Sequence, residues 1–581
     1  MKAWGDPPVP RRKARLPGSV VRYPAWTGVE SPIDPGPYPF PPDEDVGPPP
    51  SGRATRSGHD GAPRLGHLED RPRPIRPRRL GRPGELGPDA IRLGTDGLIG
   101  LGGSIGKKEL TDPIIASAYR FARSRGARVN VTRLLAAYDR AGVQLGRSGG
   151  FPWTFEPGGG PGSPIYARTG GEPAHWRPRD RRRLANDPVG YARWFVEPIA
   201  QVQVLELLAE LTARGDARGD AAAPIRAQLL PLIEADFALH VAADDPWRDL
   251  FALWLLGQAP ATLNDLWYLA TAIAYRYATL ARRVAGPVIG TGPFDGEQLV
   301  SASAGLGTVL WQLRIYPSLV PELAAFVGDS ANADGGWSDP GQPSDVLTTL
   351  MAADLMLALD PTFDPQPTIA WFARAQEPEG WWRALGPEVP WLTGAVVDWL
   401  ERATGPVLER FRWPGALKLD LDRRTRLPTF AWFADLVRSV AEMPGLASSE
   451  WDIAFIDLAG FGVFNTEHGQ VRGDEVIGAF GRALARVPGS RTIRDGGDEF
   501  LVVGTPGDAG LFDRLDVFRG DWLREFEQTF GKMARPVRPR ITVSRTAGSD
   551  LAAARERLGR RIGELKKVSA DPPDDGVIER V

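Results

Sequence analysis

The stretch "RTIRDGGDEFLVVG", Arg491 to Gly504, decides the reading of this chain. Two apolar half-strands flank a glycine turn, and two carboxylates, Asp498 and Glu499, sit beside that turn. Asp-Gly-Gly-Asp is good hairpin chemistry on its own. Upstream, "DIAFIDLAG" reads as a buried strand ending in Asp457 and followed directly by a loop. If that strand neighbours the hairpin, three carboxylates converge with the Leu458 carbonyl. An all-oxygen, hard donor set of this kind suits Mg2+ or Mn2+. Without a cation the acids would repel one another and raise each other's pKa.

The surroundings alternate between α and β. "TFAWFADLVRSVAEM" and "GDEVIGAFGRALARV" read as helices, and a longer helix is expected around "GLFDRLDVFRGDWLREFEQTF". A strand "PRITVSR" and a final helix "LAAARERLGRRIGELKKV" follow. Residues 415–570 are therefore expected to form an α+β domain with a central mixed sheet, and 571–581 a short tail.

The motifs of this region resemble the GGDEF domain of the diguanylate cyclase family. "LDRRTRLPTFAWF" carries Asp422, Thr425, Leu427 and Pro428, and "DLAGFGVFNTEHGQVRGDEVI" carries Asp457, Phe461, Asn465, Gly469, Gly473 and Asp474 in register. Arg494, the Gly496–Phe500 signature and "ITVS" at 541–544 complete the match over about 418–568. The resemblance implies a palm-like fold in which Asp457, the Leu458 carbonyl, Asp498 and Glu499 hold two divalent metals. It implies that Asn465 and Asp474 read the guanine edge of GTP, and that the backbone of Gly460, Phe461, Gly462 and Val463 faces the phosphates. Arg494 and Lys566 are further substrate contacts by the same token, and Asp498 or Glu499 assists deprotonation of the attacking hydroxyl. Two GTP would condense to cyclic di-GMP across a face-to-face homodimer. The pattern also departs from the family: Ala459 and Thr466 stand where acids are usual, Gly462 where a lysine is, and Gln470 where a histidine is. Val487 and Ser490 occupy the usual Arg-x-x-Asp inhibitory position, so product feedback there is not expected. A different cyclic di- or oligonucleotide product, or a GTP-binding receptor without turnover, stays open.

Residues 91–412 read as all-α, with apolar positions recurring at three and four in "YARWFVEPIAQVQVLELLAELTARG" and "LNDLWYLATAIAYRYATLARRVAG", and likewise in "PIIASAYRFARSRG". A weak repeat joins "ANADGGWSDPG" to "AQEPEGWWRALG", each running Gly-x-Trp into a loop and a helix. The second, Gln376-x-x-x-Gly380-x-Trp382, resembles the Gln–Trp motif of terpene cyclases and related α/α toroids; the first has Ala331 at the Gln position. The implied fold is a toroid-like stack of helical hairpins acting as a regulatory or binding module, with an apolar ligand, a protein partner or dimerisation all open. "DDPWRD" (Asp244, Asp245, Asp249) misses the diphosphate-binding spacing by one residue and reads as a cap plus surface charge. "GLGGSIGKKEL" misses the phosphate-loop pattern and reads as a glycine-rich loop before a helix.

Residues 1–90 are rich in Pro, Gly and Arg and read as a disordered or extended tail. The chain of 581 residues has 42% hydrophobic and 24% charged residues and a formal net charge of -2, with no global pull toward nucleic acid or an anionic surface. It has no cysteine, which excludes disulfides, thiolate zinc sites and cysteine nucleophiles. No leader-like apolar core follows "MKAWGDPPVPRRKARLPG", and no apolar run reaches the length of a membrane span. A cytoplasmic protein without membrane or nucleic-acid partners is expected.

Overall fold

The computed structural model describes residues 86–105, 135, 197–213, 217–242, 246–283, 299–339, 343–378, 380–382, 390–406, 410–417, 420–533, 535–568 and 576–581. The Pro/Arg-rich segment up to 85, "PIIASAYRFARSRG", Asp244 and Asp245 lie outside them.

The first part is helical. It contains α1 (Leu86–Ile105), α2 (Glu197–Thr212), α3 (Ala217–Ala242), α4 (Pro246–Gly257), α5 (Pro260–Asp265) and α6 (Trp267–Arg283). Then come α7 (Val300–Leu313), α8 (Leu319–Asp329), α9 (Val346–Leu359), α10 (Gln366–Ala375) and α11 (Pro390–Thr404). Every residue of α7 and α9 is buried. Helices that are apolar all round belong at the centre of a bundle. Among the described residues no strand precedes Glu450.

The Gly-x-Trp segments fold alike. Trp337 donates its indole N–H to the Val327 carbonyl at 2.7 Å, and Trp382 donates to the Phe372 carbonyl at 2.9 Å. Each backbone N–H donates to a threonine hydroxyl on the next helix, Thr349 at 2.9 Å and Thr393 at 3.3 Å. Gly335 and Gly380 both adopt positive φ, 87° and 94°, which glycine alone takes at little cost. Gln376 explains what Ala331 lacks: its amide donates to the Ala90 carbonyl at 3.0 Å and so ties α1 to the repeat.

Three expectations are corrected here. Gly100–Ile105 is the last turn of α1 rather than a loop, and Leu86–Ala90 opens that helix instead of closing a tail. Glycines suit α1 because it lies close to its neighbours; a Cβ on Gly94 would stand 2.7 Å from Val397 and 2.9 Å from Trp382. Asp249 is no surface charge: it is buried and accepts from the Tyr277 hydroxyl at 2.9 Å.

The second part begins with α12 (Phe430–Glu442) and α13 (Pro444–Ser448) and continues through β1 (Glu450–Ala459), α14 (Phe461–His468) and α15 (Gln470–Leu484). The hairpin β2 (Ser490–Arg494) and β3 (Glu499–Gly504) follows, then α16 (Leu511–Phe530), β4 (Arg538–Ala547), α17 (Leu551–Val568) and β5 (Val577–Arg580). The sheet order is β2-β3-β1-β4-β5, antiparallel except for the parallel β4–β5 pair. Val577–Arg580, expected to lie in a tail, instead supplies the edge strand. β1 is central and buried on both faces, which accounts for its nearly unbroken apolar run. Its residues alternate between two cores. Trp451, Ile453 and Phe455 face α12 and α17, and Ala454, Ile456 and Leu458 face α15 and α16.

Residues 411–417 run between the two parts without regular structure. The Trp311 indole donates to the Arg412 carbonyl at 2.9 Å, and the Trp432 indole to the Gly415 carbonyl at 2.9 Å. Arg412 reaches Asp354 of α9 at 3.1 Å, where Arg402 of α11 also binds. Burial by itself would raise the Asp354 carboxyl, but Arg412 and Arg402 outweigh it and hold the pKa below the ordinary value.

Asp345 caps α9, accepting from the Thr348 N–H at 2.8 Å. Burial pushes its carboxyl up to about 7, against the Thr348 hydrogen bonds and with help from Asp339. A carboxyl raised in the folded state favours folding only while protonated, so this group subtracts stability as pH climbs from about 4 to 7. Asp345→Asn keeps a capping oxygen. Its stability gain should be nil near about pH 3.5 and grow to about 2 kcal/mol at about pH 8, read by denaturant unfolding across that range. A gain independent of pH would show that the charge is not the cause.

Candidate functional site

The site is built by strand register. Asp457 on β1 stands opposite Glu499 on β3 and, on its other side, opposite Arg540 on β4. Directly opposed residues in an antiparallel sheet share a face, at Cβ separations of about 5 Å. The Leu458 N–H donates to the Asp498 carbonyl at 3.2 Å, which draws the hairpin tip against the end of β1. Asp457, Asp498 and Glu499 are thus neighbours at one end of the sheet.

Asp457 is almost fully buried, and its face is the one that α17 covers. Leu551, Ala554, Leu558 and Ile562 mark the buried stripe of α17, and Lys566 extends it by one turn. Lys566 Nζ lies 2.6 Å from Asp457 Oδ1 and 3.8 Å from Glu499 Oε1. Arg540 Nη1 lies 3.3 Å from Asp457 Oδ2. Two cations therefore flank one acid.

The electrostatics follow. Burial raises the Asp498 carboxyl, and the Asp457 charge raises it further. Glu499 is likewise raised by burial, with Asp457 and Asp498 adding and Lys566 opposing. Burial works against the Lys566 ammonium, but Asp457 first, then Asp498 and Glu499, outweigh it and lift its pKa.

The hairpin turn has an anchor that sequence reasoning missed. The Asp495 carboxylate, its side chain 2% exposed, is gripped at 3.0 and 2.6 Å by both forks of Arg555. Arg555 in turn lies over the Phe430 and Phe455 rings. In the sequence, Arg555 falls next to the buried Ala554 of a helix whose face is already periodic, and that was the available signal. A Cβ on Gly496 would stand 2.9 Å from Glu499 Oε2, the far end of a flexible side chain that can shift aside.

Gly460 takes φ 79° and starts α14, so the Gly460–Val463 segment is the first turn of a helix rather than a loop. Its leading N–H groups have no intrahelical acceptor and carry the positive end of the dipole. No heavy atom lies within 4 Å of where a Gly462 Cβ would stand, and Val463 is 40% exposed, so this turn is open.

Asn465 and Asp474 are placed one helix apart. Asn465 Oδ1 is buried without a hydrogen bond and lies 1.7 Å from where a Gly473 Cβ would be, so glycine there is what admits the Asn side chain. Asp474 pairs with Arg424 at 3.0 Å. Arg494 is buried and stacks on Phe500 at 4.7 Å. Burial lowers its pKa, against the charges of Asp422, Asp498 and Asp474, and its Nη1 makes no hydrogen bond. Arg494 therefore stands between the acid cluster and the Asp474 side of the site.

Carboxylates at one sheet end are the donor chemistry a hard divalent cation takes, and Asp457 Oδ1 is already held by Lys566 at 2.6 Å. As the side chains stand, no three His, Cys, Asp or Glu residues among those described are gathered closely enough to enclose an ion. Lys566 takes that place between Asp457 and Glu499. Among the described residues no helix is long and apolar enough to cross a membrane.

No family model and no curated protein matches the chain. Solved structures do. The GGDEF domain of DgcB from Caulobacter crescentus in complex with c-di-GMP is 21% identical over 28% of this chain and 95% of that one, with a TM-score of 0.23. Diguanylate cyclase SiaD in complex with its activator SiaC, from Pseudomonas aeruginosa, is 21% identical over 27% of this chain and 61% of that one, TM-score 0.24. The FimX GGDEF domain from Pseudomonas aeruginosa is 16% identical over 28% and 99%, TM-score 0.23. The C-terminal region of this chain is similar to GGDEF domains.

Proposed function

We propose that residues 415–570 form a GTP-using nucleotide cyclase, most simply condensing two GTP into cyclic di-GMP. The observation that carries this is the in-register meeting of Asp457 and Glu499, with Asp498 beside them, next to the open first turn of α14. In each half-reaction the 3′-oxygen of one nucleotide bonds to the α-phosphorus of the other. The bond from that phosphorus to the β-phosphate bridge breaks, pyrophosphate leaves, and the hydroxyl proton passes to a base. Two such steps close the ring.

Each residue then has a task. Asp457, Asp498, Glu499 and the Leu458 carbonyl would hold Mg2+ or Mn2+. The bound ion supplies charge neutralisation and lowers the hydroxyl's pKa. Asp498 and Glu499, raised from their ordinary values by burial and by the neighbouring acids, would assist deprotonation of the attacking hydroxyl. The N–H groups at the start of α14 orient phosphate oxygens. Arg494, with a buried N–H lacking a partner, offers a charge-assisted donor between the two halves of the site. Asp474 accepts from guanine N1–H and the 2-amino group, a donor pair that adenine lacks; Asn465 supplies a second contact to that edge.

One nucleotide per domain requires a homodimer. We assign control to the helical part, a toroid-like stack of hairpins, acting through residues 410–417, which bind both α7 and α12. The open space at Gly462 favours a second reading, in which the cyclic product differs from cyclic di-GMP while the chemistry is kept.

Purified protein incubated with all four NTPs and Mg2+ or Mn2+ should yield cyclic di-GMP by mass spectrometry. An Asp498→Ala, Glu499→Ala variant should lose at least about 100-fold in rate. Another cyclic product would keep the mechanism and move the specificity; intact GTP binding without turnover would leave a receptor. A second prediction concerns guanine. Gly473→Ala forces Asn465 out of its slot, so GTP affinity should fall by about tenfold while ATP affinity is unchanged, measured by equilibrium binding. Equal losses for both nucleotides would remove Asn465 from base recognition.

A further inference from the structure

On the footing that this domain takes GTP as a cyclase substrate, we propose that Arg424 is a further reader of the base. It donates to guanine O6 beside Asp474, so that a turn and a helix together meet the whole guanine edge.

Arg424 is placed by a closed turn. The Asp422 carboxylate accepts from the Arg424 N–H at 3.2 Å and from the Thr425 N–H and hydroxyl, both at 2.8 Å. The Asp422 N–H donates to the Leu427 carbonyl at 2.8 Å, and the Arg426 N–H donates to the Asp422 carbonyl at 2.9 Å. The Arg494 N–H donates to the Pro428 carbonyl at 2.7 Å, which fastens the turn to β2.

The turn lies against α15 at two glycines. A Cβ on Gly481 would stand 3.1 Å from Leu427 and 3.2 Å from Thr425, and one on Gly478 would stand 3.8 Å from the Arg424 carbonyl. Gly478 is one helical turn beyond Asp474, so the two share a face of α15. The Arg424 backbone is thereby held at the face that carries Asp474, and its Nη1 lies 3.0 Å from Asp474 Oδ1.

That ion pair faces solvent, with side chains 58% and 41% exposed. A pair so exposed adds little to stability. Nor does it exhaust either partner. A guanidinium has several donors and a carboxylate several acceptor positions, and the pairing joins one nitrogen to one oxygen. What remains is a donor standing next to acceptors on one wall of the site. Asn465 stands against Gly473, the residue before Asp474, with its Oδ1 buried and without a hydrogen bond. A buried polar atom left in that state calls for a partner from outside the chain.

Guanine matches this wall group for group. Its edge presents the O6 acceptor, then the N1–H and 2-amino donors. Asp474 accepts from the donor pair, which leaves O6 for the neighbouring guanidinium, a contact that arginine makes readily with guanine. Adenine would set its 6-amino donor against Arg424 and its N1 lone pair against Asp474.

The test is equilibrium binding of GDP, ADP and 6-thio-GDP to the full chain. These nucleotides keep the base and lack the γ-phosphate, so none can release pyrophosphate during the measurement. The thio compound keeps N1–H and replaces O6 by a weakly accepting sulfur. Wild type should bind GDP about tenfold more tightly than 6-thio-GDP, and more tightly than ADP. Arg424→Ala should lower GDP affinity about tenfold, leave ADP unchanged and move 6-thio-GDP by less than about twofold. Arg424→Lys, which keeps a donor, should recover part of the loss. Unchanged or tighter GDP binding in Arg424→Ala would overturn the proposal, since Arg424 would then only occupy Asp474. Equal losses for GDP and 6-thio-GDP would overturn it as well, by assigning the effect to Asp474 or to charge alone. Either result leaves the cyclase reading standing, because that reading is decided by the cyclic product. Equal binding of GDP and ADP by the wild type would sink guanine recognition and this proposal together.

Discussion

Everything at the candidate site depends on one constraint, the burial of Asp457 in the central strand of the sheet. A carboxylate with its side chain 2% exposed cannot stand alone, because the desolvation cost of an unpaired buried charge runs to several kcal/mol. The sheet answers by register: Arg540 opposes it from one side and Glu499 from the other. The helix on the same face answers with Lys566. Placing a second acid opposite the first is unfavourable by itself, and the carboxyls of Asp498 and Glu499 are raised first by burial and then by the neighbouring acid charges.

A second dependency joins the parts of the chain. Arg314 ends α7 at φ 57°, an uncommon conformation for a residue with a side chain, and its guanidinium is 3% exposed. It reaches the Gly415 carbonyl and Asp420, 2.5 Å away, and lies 5.9 Å from the Trp432 ring. Phe411, Trp413 and Trp451 pack edge to face beside it, at 4.9 to 6.1 Å. Trp451 begins the same strand that ends at Asp457, and Arg412 reaches back to Asp354 in the helical core. The link between a helical module and the acid site is thus a chain of packed aromatics and buried ion pairs with a strand as its last segment. A contact path of this kind is a necessary condition for coupling, and two populated states would complete it.

How much of this the sequence disclosed varies by residue. The order of elements from α12 to α17 was legible because each has a clear period, and the acids were legible because a hairpin tip rarely carries two. The cations were not. Arg540 and Arg555 look like ordinary surface charge in a chain where arginine is common, and only register places Arg540 against Asp457. β5 escaped because four residues, Val577–Arg580, are too few for a period to show. In the helical part the Gly-x-Trp repeat was visible from its punctuation. Its physical content, two indoles donating to carbonyls of the preceding helix, needed the three-dimensional path. Gly100–Ile105 was misjudged because its glycines were read against a phosphate-loop pattern, whereas the stretch continues α1.

The two cations also show why the acids alone make a poor guide to what such a site does. Remove Arg540 and Lys566 in thought, and three clustered carboxylates demand metal at any pH where they are ionised. Restore them, and every Asp457 oxygen faces a cation. The ordinary reward for binding a divalent ion, relief of repulsion among buried acids, has then been partly collected by the protein itself. What distinguishes the two arrangements is the tether. A cation fixed in a sheet is part of the scaffold, whereas one on the final turn of a helix, on a flexible four-carbon stem, can leave for solvent.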